Sequence, residues 1–124
     1  MLMNRTVNPT VRLINLKDHR VISDKCIIAE SYFSRLRGWI GKTHAVSGEG
    51  IFFPKCMSIH MWFMSLPIDV VFLDERKVVT SVRANVRPWK LLPVSDRRAF
   101  DTLELPAGSI ERIGIVVGDE LCFG

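Results

Sequence analysis

The chain has 124 residues, of which 48% are hydrophobic and 24% charged, and its formal net charge is +4. One domain, residues 1–124, accounts for this length, and the proportions exclude wholesale disorder and give no sign of a fibrous chain. Three cysteines form an odd number without paired spacing, which fits free thiols better than a disulfide framework.

Strand patterns and one helix pattern fill the N-terminal half. Alternating side chains predict a strand over residues 11–16, and a short apolar segment predicts another over 26–29. Apolar residues then recur at helical spacing, so we expect an amphipathic helix that Ser31 caps and Gly41 ends. Residues 50–54 form an apolar segment closed by proline, which predicts a third strand.

Residues 58–74 concentrate the unusual side chains of the sequence. We interpret them as a hairpin of two apolar strands joined by the Pro-containing connection 65–68. A polar turn at 75–76 then leads into a further strand over 77–82. Three consecutive strands with short links favour an antiparallel meander.

The C-terminal part begins with prolines that predict a long surface loop over residues 87–96. Alternation over 100–105 predicts a half-buried strand. A short helix follows, for which Ser109 is the expected N-cap and Gly114 the left-handed exit. Residues 120–123 read as a last strand.

About eight short strands and two short helices indicate a mainly β or α+β fold. We expect a single small antiparallel sheet, curled or barrel-like, with the first helix covering an open end. A parallel α/β sheet is excluded because too few helix-length segments separate the strands.

Four motifs follow one another in a specific order: RLRGW at residues 35–39, IHMWFMSLPIDVVFLD at 59–74, LELPAG at 103–108 and GIVVGD at 114–119. Over about residues 26–122 the chain resembles the domain of unknown function 192 family. The resemblance implies a compact, mostly β domain of bacteria and archaea, often behind a signal peptide and without an agreed activity. The family's aromatic-tryptophan pair before the methionine is altered here, where His60 and Met61 lead into Trp62.

Export and membrane signals are absent from the sequence. Residues 1–9 lack the apolar stretch of a signal peptide, and nowhere do about 18 uncharged apolar residues run together. We therefore expect no membrane span and a cytoplasmic location.

Positive charge concentrates over residues 83–98. Acidic residues interrupt or flank this basic region, and no nucleic-acid motif accompanies it, so we expect a solvated surface without specific nucleic-acid binding. A phosphate or anionic-surface site is the alternative. The cations are Arg83, Arg87, Lys90, Arg97 and Arg98, and the acidic residues are Asp96, Asp101 and Glu104.

The candidate ligand-binding residues are His60, Trp62, Asp69 and Trp89. In the assumed hairpin register His60 and Asp69 lie about 13 Å apart, at about 3.3 Å per residue. They are then too far apart for the hydrogen-bonded pair of a general base. Asp69 either caps turn amides or acts as an acid or base, and His60 is either a structural histidine or a ligand contact. Trp89, between a proline and a lysine in an exposed loop, is a recognition candidate.

Nucleophile and metal patterns are weak. Cys26 and Cys56 lie in apolar surroundings without a local histidine or a helix N-terminus, so we interpret both as inert thiols. The histidines show no metal-ligand spacing. We assign no catalytic residue, no metal and no cofactor.

Three functions are consistent with these residues. We favour a non-catalytic ligand-binding or accessory domain, with a cleft near the hairpin of residues 59–74 for an unknown small molecule or protein. The first alternative is an enzyme that acts on a small polar or glycan substrate with Asp69 and His60. The second is a protein-interaction module that uses the basic region 83–98.

Overall fold

The computed structural model describes residues 10–29, 46–61 and 64–124. The helix predicted from Ser31 to Gly41 lies outside the described residues. Within them the elements are β1 (Thr10–Asn15), β2 (Val21–Ile28), β3 (Glu49–Phe53), β4 (Ser58–Ile59), β5 (Ile68–Leu73), β6 (Val79–Val86), β7 (Val94–Ser95), β8 (Asp101–Pro106), α1 (Ser109–Ile113) and β9 (Leu121–Phe123).

Seven strands form one mixed sheet in the order β6-β5-β8-β3-β2-β1-β9. Its neighbours are antiparallel except β2 and β3, which run parallel with Cys26 beside Gly50. The prediction of a wholly antiparallel sheet is therefore wrong at this pair. The connection over residues 29–48 is long enough to return the chain to the same end of the sheet, as parallel pairing requires.

The two edges of the sheet, β6 and β9, approach each other without forming a ladder. In the described part of the chain a single antiparallel bridge, Val78 to Glu120, connects them. Flanking main-chain hydrogen bonds run from Leu121 N–H to the Lys77 carbonyl (2.9 Å) and from Val79 N–H to the Asp119 carbonyl (2.8 Å). The sheet is thus curled but is not a closed barrel, because β9 has only three residues and pairs along β1.

Strand β4 does not pair with β5, so the predicted hairpin over residues 58–74 is wrong. β4 instead pairs with β7 in a separate two-stranded sheet, where Ile59 lies opposite Val94. β5 is flanked by β6 on one side and β8 on the other, so both of its edges are already occupied. The register that placed His60 opposite Leu73 therefore does not exist; Leu73 pairs with Val79 and Asp101.

Two apolar clusters cover the two faces of the large sheet. All six residues of β5 are buried, and they alternate between the clusters: Val70 and Phe72 belong to one, Val71 and Leu73 to the other. Strand β8 is also buried throughout, so the half-buried strand predicted for residues 100–105 is wrong. Its polar residues enter the core rather than solvent because both faces are covered.

The helix near the C-terminus has five residues, and the sequence placed it correctly. Gly108, rather than the expected Ser109, is its N-cap, and Gly108 adopts a φ of 92°. Ser109 is buried and donates its hydroxyl to the Pro106 carbonyl at 2.6 Å. Gly114 takes the expected left-handed exit conformation, with a φ of 81°.

Candidate functional site

Asp69 is fully buried and its carboxylate binds two main-chain amides. Oδ1 accepts the Asn85 N–H at the end of β6, and Oδ2 accepts the Ile110 N–H at the start of α1, both at 2.8 Å. The cap predicted for Asp69 is thus right in kind, but the amides belong to distant segments and not to its own turn. The carboxylate fastens β6 and α1 to the centre of the sheet.

Two left-handed residues shape the end of β6 and the chain that follows it. Asn85 has a φ of 54° and Trp89 a φ of 59°. Asparagine tolerates this conformation, whereas tryptophan needs support from its surroundings. Asn85 is held by Asp69, and the Trp89 N–H donates to the Met61 carbonyl at 2.9 Å. The path of the chain between these two residues is therefore fixed from both ends.

Residues 87–93, which we call the β6–β7 loop, are mostly exposed. Val86 and Val94 on either side of the loop are buried in the apolar cluster that also contains Met61. Between them Trp89 is 60% exposed, so its predicted exposure is confirmed.

An open groove lies between β6 and the β6–β7 loop. Its volume is about 880 Å³, and we call it the basic groove. Its charged lining residues are Arg83, Arg87 and Lys90, with no carboxylate among the lining residues. The guanidinium of Arg83 also lies 5.7 Å from the ring centre of Phe72 and so covers the edge of the core.

The acidic residues near the basic region in sequence, Asp96, Asp101 and Glu104, are all buried, and Asp96 forms an ion pair with Arg98 at 3.4 Å. Burial raises the pKa of Asp96, but hydrogen bonds from Ser81, from the Arg98 main chain and from the Thr80 hydroxyl outweigh it and hold the pKa well below its ordinary value. Burial raises the pKa of Asp101. The basic region is therefore divided into two parts. Arg97 and Arg98 share a surface cavity with Asp74 and Glu75. The lining of the basic groove, in contrast, contains cations and no carboxylate.

The candidate site residues that the structure describes, His60, Asp69 and Trp89, differ in burial, and none of the three lines the basic groove. His60 is half-buried, Asp69 is fully buried and Trp89 is exposed, while Trp62 lies outside the described residues. The lining of the basic groove contains neither His60 nor Asp69. Asp69 is linked to the groove through its hydrogen bond with Asn85, which lines it. The residue after His60, Met61, accepts the Trp89 N–H, and the neighbours of Trp89, Pro88 and Lys90, line the groove.

Asn85 and Glu104 were missed by sequence reasoning. Asn85 carries a usable signal, because asparagine favours left-handed turns and this one precedes the Pro-containing segment. Glu104 carries none: it occupies a polar position in an alternating strand, yet it is fully buried between Ile51 and Val70 of the neighbouring strands.

Reactive groups are few where the structure describes the chain. All three cysteines are free, and burial raises the pKa of Cys26 to about 12, which keeps its thiol protonated at neutral pH. Among residues 10–29, 46–61 and 64–124 no three His, Cys, Asp or Glu side chains group as metal ligands. Over the same ranges no helix has the length and apolar character to cross a membrane.

A family model supports the resemblance noted in the sequence. The model of DUF192, described as "Uncharacterized ACR", matches residues 14–123. The chain belongs to the DUF192 family. Curated relatives are named as UPF0127 proteins. One from Thermococcus sibiricus is 32% identical over 113 residues, which are 88% of this chain and 72% of the relative. One from Pyrococcus abyssi is 38% identical over 64 residues, so this chain spans about half of that relative's length.

Two solved structures share the fold of this DUF192 chain. A protein of unknown function from Novosphingobium aromaticivorans has a TM-score of 0.74 at 22% identity, covering 90% of this chain and 82% of its own. A protein from Sinorhizobium meliloti, described as a candidate transcription regulator, has a TM-score of 0.75 at 24% identity, covering 96% of this chain and 98% of its own. At these identities the likeness establishes the fold alone.

Proposed function

We propose that this DUF192 domain is a non-catalytic binding domain and that the basic groove accepts a small ligand bearing phosphate or carboxylate groups. The observation that carries the proposal is a groove of about 880 Å³ whose charged lining residues are all cations: Arg83, Arg87 and Lys90. Small-molecule sites commonly occupy about 300–1,000 Å³ and orient their ligand with a few placed polar groups. An anion in this groove would meet positive charge without a competing carboxylate.

Preorganisation of the groove supports the proposal. Asn85 is held by Asp69, and Trp89 is held by the Met61 carbonyl. Buried Val86 and Val94 anchor the ends of the loop. A site that is already ordered loses little conformational entropy when it binds a ligand. Asp69 is thereby a positioning residue, while ligand contact by His60, Trp62 or Trp89 stays a prediction.

The enzyme alternative finds less support. General acid or base catalysis requires a titratable group within hydrogen-bond reach of the substrate. The lining of the basic groove contains no His, Asp, Glu or Cys. Both oxygens of Asp69 accept main-chain amides, and the side chain is fully buried, so Asp69 would have to break two hydrogen bonds before it could transfer a proton.

A duplex nucleic acid also fits the groove poorly, although one fold neighbour is described as a candidate transcription regulator. Affinity for a duplex depends largely on the number of phosphates that cations neutralise, and the groove supplies only three cations. We therefore favour a small anion over a nucleic-acid backbone.

The test is isothermal titration of the full chain against nucleotides, sugar phosphates, and di- and tricarboxylates. We expect at least one class to bind, with an affinity that falls as salt rises. The double variant Arg87→Gln with Lys90→Gln should weaken binding about tenfold or more. Arg12→Gln with Lys17→Gln removes the same charge from exposed positions on and beside β1 and should leave binding unchanged. A panel without any binder, or equal affinity for the groove variant and wild type, would contradict the proposal.

A further inference from the structure

The tip of the β6–β7 loop exposes three large apolar side chains: Trp89 is 60% exposed, Leu91 78% and Leu92 68%. We propose that this tip docks the domain onto an anionic membrane surface by inserting these side chains into the headgroup region. The inference depends on the exposed tip and not on a ligand in the basic groove.

The shape of the tip favours a lipid partner. Leu91 and Leu92 are adjacent in sequence, both are largely exposed, and neither lines the basic groove. Exposed apolar side chains of this kind need a matching pocket in a protein partner, whereas a fluid lipid surface adapts to them. Tryptophan is enriched at the membrane interface, where its apolar ring and its N–H group find suitable surroundings.

Charge around the tip complements an anionic surface. Arg87 and Lys90 belong to the same loop, Arg83 lies on the adjoining end of β6, and residues 78–95 contain no carboxylate. The nearest following acid, Asp96, is buried, accepts a hydrogen bond from Ser81 and forms an ion pair with Arg98, which lies outside the loop. Apolar insertion combined with basic residues is the usual basis for reversible binding to anionic lipids.

The tip is also held rigid before it meets a partner. Pro88 and Pro93 restrict the main chain at both ends of the loop. Buried Val86 and Val94 anchor it, and the Trp89 N–H donates to a carbonyl outside the loop. Insertion therefore does not require the loop to fold on the membrane, which removes an entropic cost that disordered anchors carry.

Vesicle flotation of the full chain tests the inference. One set of vesicles contains phosphatidylcholine alone, and in the other about a third of the lipid is phosphatidylserine. We expect binding to the second set, at least tenfold stronger than to the first and weakened by salt. Leu91→Ser with Leu92→Ser should reduce this binding about tenfold or more, and Lys90→Gln about fivefold.

Val116→Ser with Val117→Ser is the matched control, because these valines are also adjacent and are 58% and 60% exposed at another surface. This control should bind vesicles like wild type, and circular dichroism should show that both double variants are folded. The leucine variant should also keep any anion affinity measured for the basic groove, which separates this inference from the proposed function.

Several results would overturn the inference. These are no binding to either vesicle set, equal binding to both, or full binding by the leucine variant. A fourth is self-association of the wild type in sedimentation that the leucine variant abolishes without any vesicle binding, since the tip would then be a contact between copies of the chain.

Discussion

Replacing Asp69 with asparagine should destabilise the domain strongly although the side chain keeps its size and polarity. The carboxylate of Asp69 accepts two amides, from Asn85 and Ile110, and is fully buried. Asparagine retains one acceptor oxygen and puts an NH₂ group in place of the other. One of the two main-chain N–H groups then faces a donor inside the core.

The size of the effect follows from these two contacts. A hydrogen bond to a charged group contributes about 1.5–3 kcal/mol, and a buried donor left without a partner carries a penalty of similar size. Because Asp69 is completely shielded from water, screening does not reduce the effect. We expect the free energy of unfolding of Asp69→Asn to be about 2–3 kcal/mol below wild type. For a chain of this length that lowers Tm by about 10 °C.

Urea denaturation followed by circular dichroism measures this difference, with thermal melts as a second readout. Asp18→Asn is the matched control, because Asp18 also accepts a main-chain N–H, from Arg20, but at the surface. Its midpoint should stay close to that of wild type. If Asp69→Asn unfolds within about 0.5 kcal/mol of wild type, the carboxylate does not fasten β6 and α1, and the support we assign to the basic groove is wrong.

Three further outcomes are expected. The pKa of Asp96 is depressed in the folded state, so its contribution to stability is present above the unfolded pKa of about 3.9 and is lost as pH falls below it. Urea midpoints between pH 6 and pH 3 should therefore fall more steeply for wild type than for Asp96→Asn. Parallel curves for the two proteins would contradict this. Cys26, whose pKa is raised to about 12, should resist Ellman's reagent in the native state at pH 8 and react after unfolding, with half-buried Cys56 as the internal comparison. Asn85→Ala should lower the free energy of unfolding by about 1–2 kcal/mol because of the left-handed main chain, whereas Asn85→Gly should not show this strain; equal stability of the alanine variant and wild type in urea would argue against it.

Local patterns in the sequence located most strands, because alternation and proline positions are properties of neighbouring residues. The strands predicted at residues 11–16 and 50–54 appear as β1 and β3, each within two residues of the expected bounds. The pairing of the strands was harder to predict from the sequence. The parallel pair β2–β3 and the small sheet of β4 and β7 depend on where long connections bring distant segments, and no local pattern encodes that.

In the candidate site, too, local features were predictable from the sequence and long-range contacts were not. The basic region and exposed Trp89 were evident from the sequence because they depend on residue type and on flanking prolines. The burial of Asp96 was not evident, since an aspartate between serine and arginine looks like an ordinary surface residue. The role of Asp69 was visible only as a preference for capping, because its partners Asn85 and Ile110 lie 16 and 41 residues away along the chain.

The contact between Val78 and Glu120 marks the place where local opening of the domain should begin. In the part of the chain described, the two edges of the sheet are joined by this bridge, by a few neighbouring main-chain hydrogen bonds and by the Lys77 ammonium 5.6 Å from the ring centre of Phe123. Val79 and Leu121 also share one apolar cluster. Opening these contacts disrupts no strand ladder, so the two edges of the sheet can separate while β5 and β8 stay intact. Amide protons of Val79 and Leu121 should therefore exchange with solvent through a small opening, long before those at the centre of the domain.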